Sequence, residues 1–249
     1  MSRGNAVPVS PGNAVPDGLL DLVVPVYVHP DEAPHRWQRL ASMADRVRIA
    51  VVNVHDGPGS GRDPAYLCAV HALRLSGIRV AGYVDTGYGR RTVTEVASDV
   101  AAYRRWYDLD AVFLDQVSSG LAELDHYADC VLGARSEGAR FVTLNPGTHP
   151  HPGYVDLANL TVTFEGTWVD YRRLDVPSWV AARPASRFCH LVYDVPPWAF
   201  AEGVRLAGRR NVRSVFLSDG HGANPWDRCP TSLAEVMTRA GEQSWPDTG

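Results

Sequence analysis

Eight short apolar runs, each closing on a residue able to do chemistry, constrain this chain more than any other feature. They occupy residues 22–28, 48–54, 79–84, 111–115, 140–145, 160–165, 188–193 and 214–218. Their centres are near-continuous Val, Ile, Leu and Phe, without the alternation of a half-exposed strand. Strands of that kind must be covered on both faces, as in a parallel sheet with helical crossovers. Helical patterns lie between most of them, over residues 34–44, 64–76, 92–107, 121–136, 197–207 and 231–240. Asp63-Pro64 places a cap before a first-turn proline, Thr231 or Ser232 can cap the last helix, and Gly77 and Gly138 stand where two helices need a left-handed end. Segments 146–159 and 166–186 are Pro-rich and irregular, so helices there are expected to be short or missing.

This alternation fits a closed barrel or a doubly wound open sheet. No G-x-G-x-x-G follows the first strand, which weakens the open sheet. The polar residues favour the barrel. His29, Asn53, Asp85, Asp115, Asn145, Glu165, Tyr193 with Asp194, and Asp219 all sit at C-terminal strand ends, which in a barrel form one rim around one pocket. The opposite ends carry Arg48, Arg79, Arg140 and Arg187, read as ordinary solvated residues. The expected fold is therefore α/β: a single-domain (β/α)8 TIM barrel over residues 21–249, with irregular loops after strands 5 and 6. Residues 1–20, rich in Pro, Gly, Asn and Ser, read as a flexible arm.

Composition excludes several functions. All 24 cationic residues are Arg, so neither a Schiff-base lysine nor a P-loop lysine is available. A net charge of -4 with no basic stripe gives no surface for a nucleic acid. No apolar run reaches the ~18 residues of a membrane span. The first twenty residues lack the apolar core of a signal peptide, and Cys68, Cys130, Cys189 and Cys229 are too scattered for a disulfide framework or a zinc cluster. Together these imply a cytoplasmic chain with buried thiols. His149 and His151 lie in a proline loop without H-E-x-x-H, so no metal and no cofactor is expected. The Ser118-Ser119-Gly120 run lacks a nucleophile-elbow context, and glycines 57, 59 and 61 read as a rim loop without a following G-K-[ST].

Asp115 and Glu165 each end an apolar strand in a carboxylate. A charge there is costly unless it is paired or faces a wet cleft. Two such groups on next-but-one strands can face each other across a barrel mouth, the arrangement glycoside hydrolysis requires. Rim residues suited to hold a sugar are Tyr27, His29, Asn53, Tyr83, Asp85, Tyr88, Gln116, Asn145, His190, Tyr193, Asp219 and Trp226. His190 reads equally well as a core residue. The partner expected is a small-molecule or oligosaccharide substrate; the sequence assigns no oligomeric state.

With these residues in view, the chain resembles the spherulation-specific family 4 (spherulin-4-like) proteins over roughly residues 22–235. The segments that carry the resemblance are Val24-Pro25-Val26-Tyr27-Val28-His29-Pro30, Val52-Asn53 with Gly57-Pro58-Gly59, and Gly82-Tyr83-Val84-Asp85-Thr86-Gly87-Tyr88-Gly89-Arg90. Val112-Phe113-Leu114-Asp115, Leu144-Asn145-Pro146-Gly147-Thr148, Thr163-Phe164-Glu165, His190-Leu191-Val192-Tyr193 and Asn224-Pro225-Trp226-Asp227 follow in order. That family includes fungal galactosaminogalactan-cleaving hydrolases. The resemblance implies a metal-free barrel acting on α-linked galactosamine or N-acetylgalactosamine, with Asp115 as nucleophile and Glu165 as proton donor in a retaining scheme. Gln116 departs from the Asp-Glu pair common in the family, and the lack of a secretion signal departs from an extracellular role. Both keep open a repurposed barrel performing dehydration, cyclisation or isomerisation on a biosynthetic intermediate, and an inactive sugar-binding protein.

Overall fold

The computed structural model describes residues 20–222 and 224–226. The eight apolar runs form strands β1 Asp21–Val26, β2 Val47–Val52, β3 Arg79–Asp85, β4 Ala111–Asp115, β5 Phe141–Leu144, β6 Leu160–Thr167, β7 Phe188–Tyr193 and β8 Ser214–Leu217. Every neighbouring pair is parallel, and β8 pairs back to β1 through Asp21↔Ser214 and Leu22↔Val215. The sheet is thus a closed eight-stranded barrel, as the two-sided burial of its strands demands.

Helices α1 Pro34–Ala41, α2 Pro64–Leu75, α3 Val93–Tyr107, α4 Leu124–Ser136 and α7 Phe200–Arg209 follow the sequence pattern closely. The side chain of Asp63 accepts the N–H groups of Ala65 and Tyr66, and Thr92 with Glu95 closes a reciprocal capping box. Gly77 and Gly138 take φ of +95° and +94° just beyond α2 and α4, where a side chain would be strained. The irregular segments hold only short helices, α5 Gly153–Leu157 and α6 Trp168–Arg172, with 3-10 turns at Ser178–Ala182 and Ala185–Arg187.

Three boundaries differ from expectation. Residues 121–123 and 197–199 are 3-10 turns leading into α4 and α7. Strand β6 runs two residues past Glu165, because β7 continues to pair with it up to Thr167↔Tyr193. Residues 1–19 of the arm, the helix expected at 231–240, Asp227 and Cys229 lie outside the described residues, whereas Leu20 is buried in the core.

At the basic end of the barrel Arg79 and Arg140 are exposed as expected, whereas Arg48 is half-buried. Arg48 Nη1 donates to Ser214 Oγ at 2.9 Å and to the Ser186 carbonyl at 3.0 Å, and burial lowers its pKa. Arg79 stacks 4.5 Å from the Phe141 ring centroid.

The tightest helix-on-strand contact is at Gly82 of β3. A Cβ there would stand 2.4 Å from the Tyr103 ring of α3, and Tyr103 is itself anchored by its hydroxyl to the Val52 carbonyl. Gly82→Ala is therefore expected to cost at least the ~1–3 kcal/mol of overpacking, read as a lower urea midpoint at unchanged slope.

Candidate active site

Three consecutive strands present the central groups. Asp115 ends β4, Asn145 follows β5 directly, and Glu165 lies in β6. The Asn145 backbone stays in the ladder, donating to the Leu114 carbonyl at 2.8 Å and accepting from Val117 N–H at 3.0 Å. Its side-chain oxygen accepts Gly147 N–H at 3.0 Å, so the amide nitrogen turns toward the cavity. From there Nδ2 donates to Asp115 Oδ1 at 2.6 Å and to Glu165 Oε2 at 2.5 Å. One amide bridges both carboxylates. Gly147, at φ +65°, completes the loop by accepting the Glu165 N–H at 2.9 Å.

Burial raises the pKa of both acids, but by different routes. Glu165 is pushed up to about 7 by burial and by the charge of Asp115, against the Asn145 hydrogen bond. Asp115 is raised by burial while hydrogen bonds from Tyr83, the Gln116 backbone and Asn145 all favour its ionised form. Tyr27 and Tyr83 are held protonated, first by burial and then by the negative charge of Asp115, and so remain donors. The site thus has an acid poised near neutrality beside a carboxylate with several donors around it.

These groups line a cavity of about 90 Å³ together with Tyr27, Asn53, Tyr83 and Trp226. Tyr27, Asn53 and Trp226 also line a groove of about 480 Å³ that opens over the ends of β1 and β2. Seven residues expected from the sequence therefore meet at one mouth. Tyr27 and Tyr83 pack edge to face at 5.7 Å, and Tyr193 supports Trp226 in the same manner at 5.7 Å.

The remaining candidates are placed differently. His29 lines the outer groove, with Nε2 3.3 Å from Asp63 Oδ2. Asp85 lies in a neighbouring depression and accepts Gly87 N–H at 2.6 Å. Gln116 adopts φ +51°, and its carbonyl receives Tyr88 N–H and the Thr86 hydroxyl, so its backbone does loop-holding work. Tyr88 is 56% exposed on the rim and Asp219 is half-buried beyond β8; neither lines the cavity. His190 is a correction. It pairs in register with Phe164, one residue from Glu165 and so on the opposite face of the sheet, and is 0% exposed against Tyr171. Sequence reasoning missed Pro25, Phe113 and Leu191, which form the apolar cavity floor. Each lies two positions before a residue already singled out, so strand alternation could have found them. Tyr66, reaching the groove from α2, had no such signal.

The profile of spherulation-specific family 4 matches residues 21–240. The chain belongs to that family. Spherulin-4 of Physarum polycephalum is 33% identical over 172 residues, 67% of this chain and 51% of that protein, so the match spans about half of its length. Among solved structures, Aspergillus clavatus Sph3 in complex with GalNAc aligns with a TM-score of 0.75 at 23% identity, covering 90% of this chain and 98% of that one. A chitinase from Chromobacterium violaceum aligns at 0.58 with 10% identity, covering 90% and 99%. Both likenesses are to the eight-stranded barrel fold described above. No helix among the described residues is long and apolar enough to cross a membrane.

Proposed function

We propose that the chain is a retaining glycoside hydrolase acting on an α-linked amino sugar. Asp115 attacks the anomeric carbon and Glu165 protonates the leaving oxygen, then deprotonates the incoming water. The observation that carries this reading is the shared Asn145 amide. Because both bonded oxygens touch one nitrogen, they are no farther apart than the two bonds end to end, roughly the ~5–5.5 Å of a retaining pair. An inverting pair needs ~6.5–9.5 Å to admit water between its members.

The order of the two carboxyl groups supports the roles. Glu165, raised to about 7, can hold the proton that Asp115 gives up. Once Asp115 is esterified its charge is gone, the Glu165 pKa falls, and the same carboxyl becomes the base. Tyr27, Asn53 and Trp226 offer ring faces and an amide to a pyranose at the junction of cavity and groove. Sph3 bound to GalNAc makes an N-acetylhexosamine the first sugar to try. Gln116 lies outside the cavity lining and acts on the pair through its backbone bond to Asp115 and its side-chain bond to Tyr83, so it supports the carboxylates rather than joining them.

The test is hydrolysis of α-linked N-acetylgalactosamine and galactosamine oligomers with the product anomer followed by NMR. Retention is expected, with a bell-shaped kcat/KM profile. The alkaline limb falls at about pH 7 as Glu165 loses its proton, and the acid limb lies above the ordinary aspartate range as Asp115 gains one. A β-first product, or a rate level through pH 7, would refute the assignment.

A further inference from the structure

The outer face of β6 and β7, turned away from Glu165, holds a polar cluster that the proposed chemistry does not use. His190 is fully buried there, with ring centroids 5.9 Å from Phe164, 5.4 Å from Tyr171 and 6.4 Å from His149. The Tyr171 hydroxyl lies 3.0 Å from His190 Nδ1. If Tyr171 donates, one group is left without a partner; if His190 donates, the tyrosine proton and Nε2 are both left. The first arrangement puts the ring proton on Nε2, and that N–H meets no acceptor in the protein.

Two further nitrogens share this condition. His149 Nε2, on the loop between β5 and α5, is buried with no hydrogen-bond partner. Arg210, at the end of α7, lays its guanidinium 4.6 Å from the Tyr171 ring centroid, and Nη2 reaches the carbonyls of Arg172 and Leu174 at 3.4 and 3.3 Å. Its Nη1 is buried without an acceptor, and no carboxylate pairs with it among the described residues. Burial, with the charge of Arg210, keeps both imidazoles neutral. The cluster therefore carries one positive charge and leaves the Arg210 Nη1 and His190 Nε2 donors unmet, which burial makes costly.

We propose that His149, His190 and Arg210 form a buried site for a small monovalent anion of halide size. The ion accepts from the Arg210 guanidinium and the His190 Nε2–H, draws His149 into the tautomer that carries its proton on Nε2, and offsets the one charge in the cluster. It ties the β5–α5 loop to β7 and to the end of α7. That loop carries Gly147, which holds both Asn145 and Glu165. The site uses no residue of the proposed reaction and stands independently of it.

The full chain is melted in sodium chloride, sodium bromide or sodium gluconate at matched ionic strength. A saturable rise of several degrees in chloride and bromide, absent in gluconate, is expected. It should vanish in Arg210→Met and in His190→Phe. Should either variant fail to fold, crystals of the unaltered chain grown in sodium bromide give a second reading. Anomalous density should then appear among the three nitrogens. Equal melting in chloride and gluconate, or water alone at that position in bromide crystals, would overturn the assignment.

Discussion

Glu165→Gln should lower turnover of an α-linked amino-sugar oligomer by roughly 10²–10⁴-fold, the range a single acid or base supplies, and Asp115→Asn, which removes the nucleophile, by at least as much. The two variants should nevertheless be distinguishable. An aryl glycoside whose leaving group needs no proton should recover its first step in Glu165→Gln, and not in Asp115→Asn. Near-native rates in either variant would remove the mechanism. Stability provides an independent check. Glu165 titrates near 7 in the folded chain against 4.5 as a free side chain, so the folded state binds the extra proton between those values. Stability contributed by the neutral carboxyl is present below 4.5 and is lost as pH rises through about 7. Glutamine has no proton to lose. Glu165→Gln should therefore melt above the parent chain at pH 8 and level with it at pH 4, a pattern that inactivation by misfolding would not give.

Asn145→Ala carries the second large effect. It removes the donors at 2.6 and 2.5 Å from two buried carboxylates without changing the charge of either. Both acids lose a hydrogen bond that favoured ionisation, so both limbs of the pH profile should move upward. With their spacing released, kcat should fall by about 10²-fold, while KM, set by the rings of the groove, changes little. A kcat within threefold of the parent, or limbs that stay in place, would show that the amide is only a packing group.

Much of this architecture was legible because it rests on local rules. Strands β4 and β7 were placed to the residue, since their apolar runs are bounded by turn chemistry and buried on both faces. The pair Asp115 and Glu165 was legible because a carboxylate at the end of a buried strand is unusual enough to need a reason. Asn145 was singled out, but its bridging role was not, because that depends on the Gly147 turn fixing which end of the amide faces inward. His190 was misplaced because strand alternation around the Val162/Phe164 irregularity of its neighbour decides which face it takes. Arg48 was taken for a surface residue because its partners, Ser186 and Ser214, are more than a hundred positions away in the chain.

The two buried carboxylates and their amide occupy three adjacent staves, whereas Tyr27, Asn53 and Trp226 come from β1, β2 and the segment after β8. Under the proposed mechanism, bond breaking and sugar choice thus belong to different arcs of the same ring. Grafting loops from a cousin with another appetite onto the first and last strands should retune selectivity without disturbing the chemistry. A directed-evolution library confined to those three loops would test that division of labour.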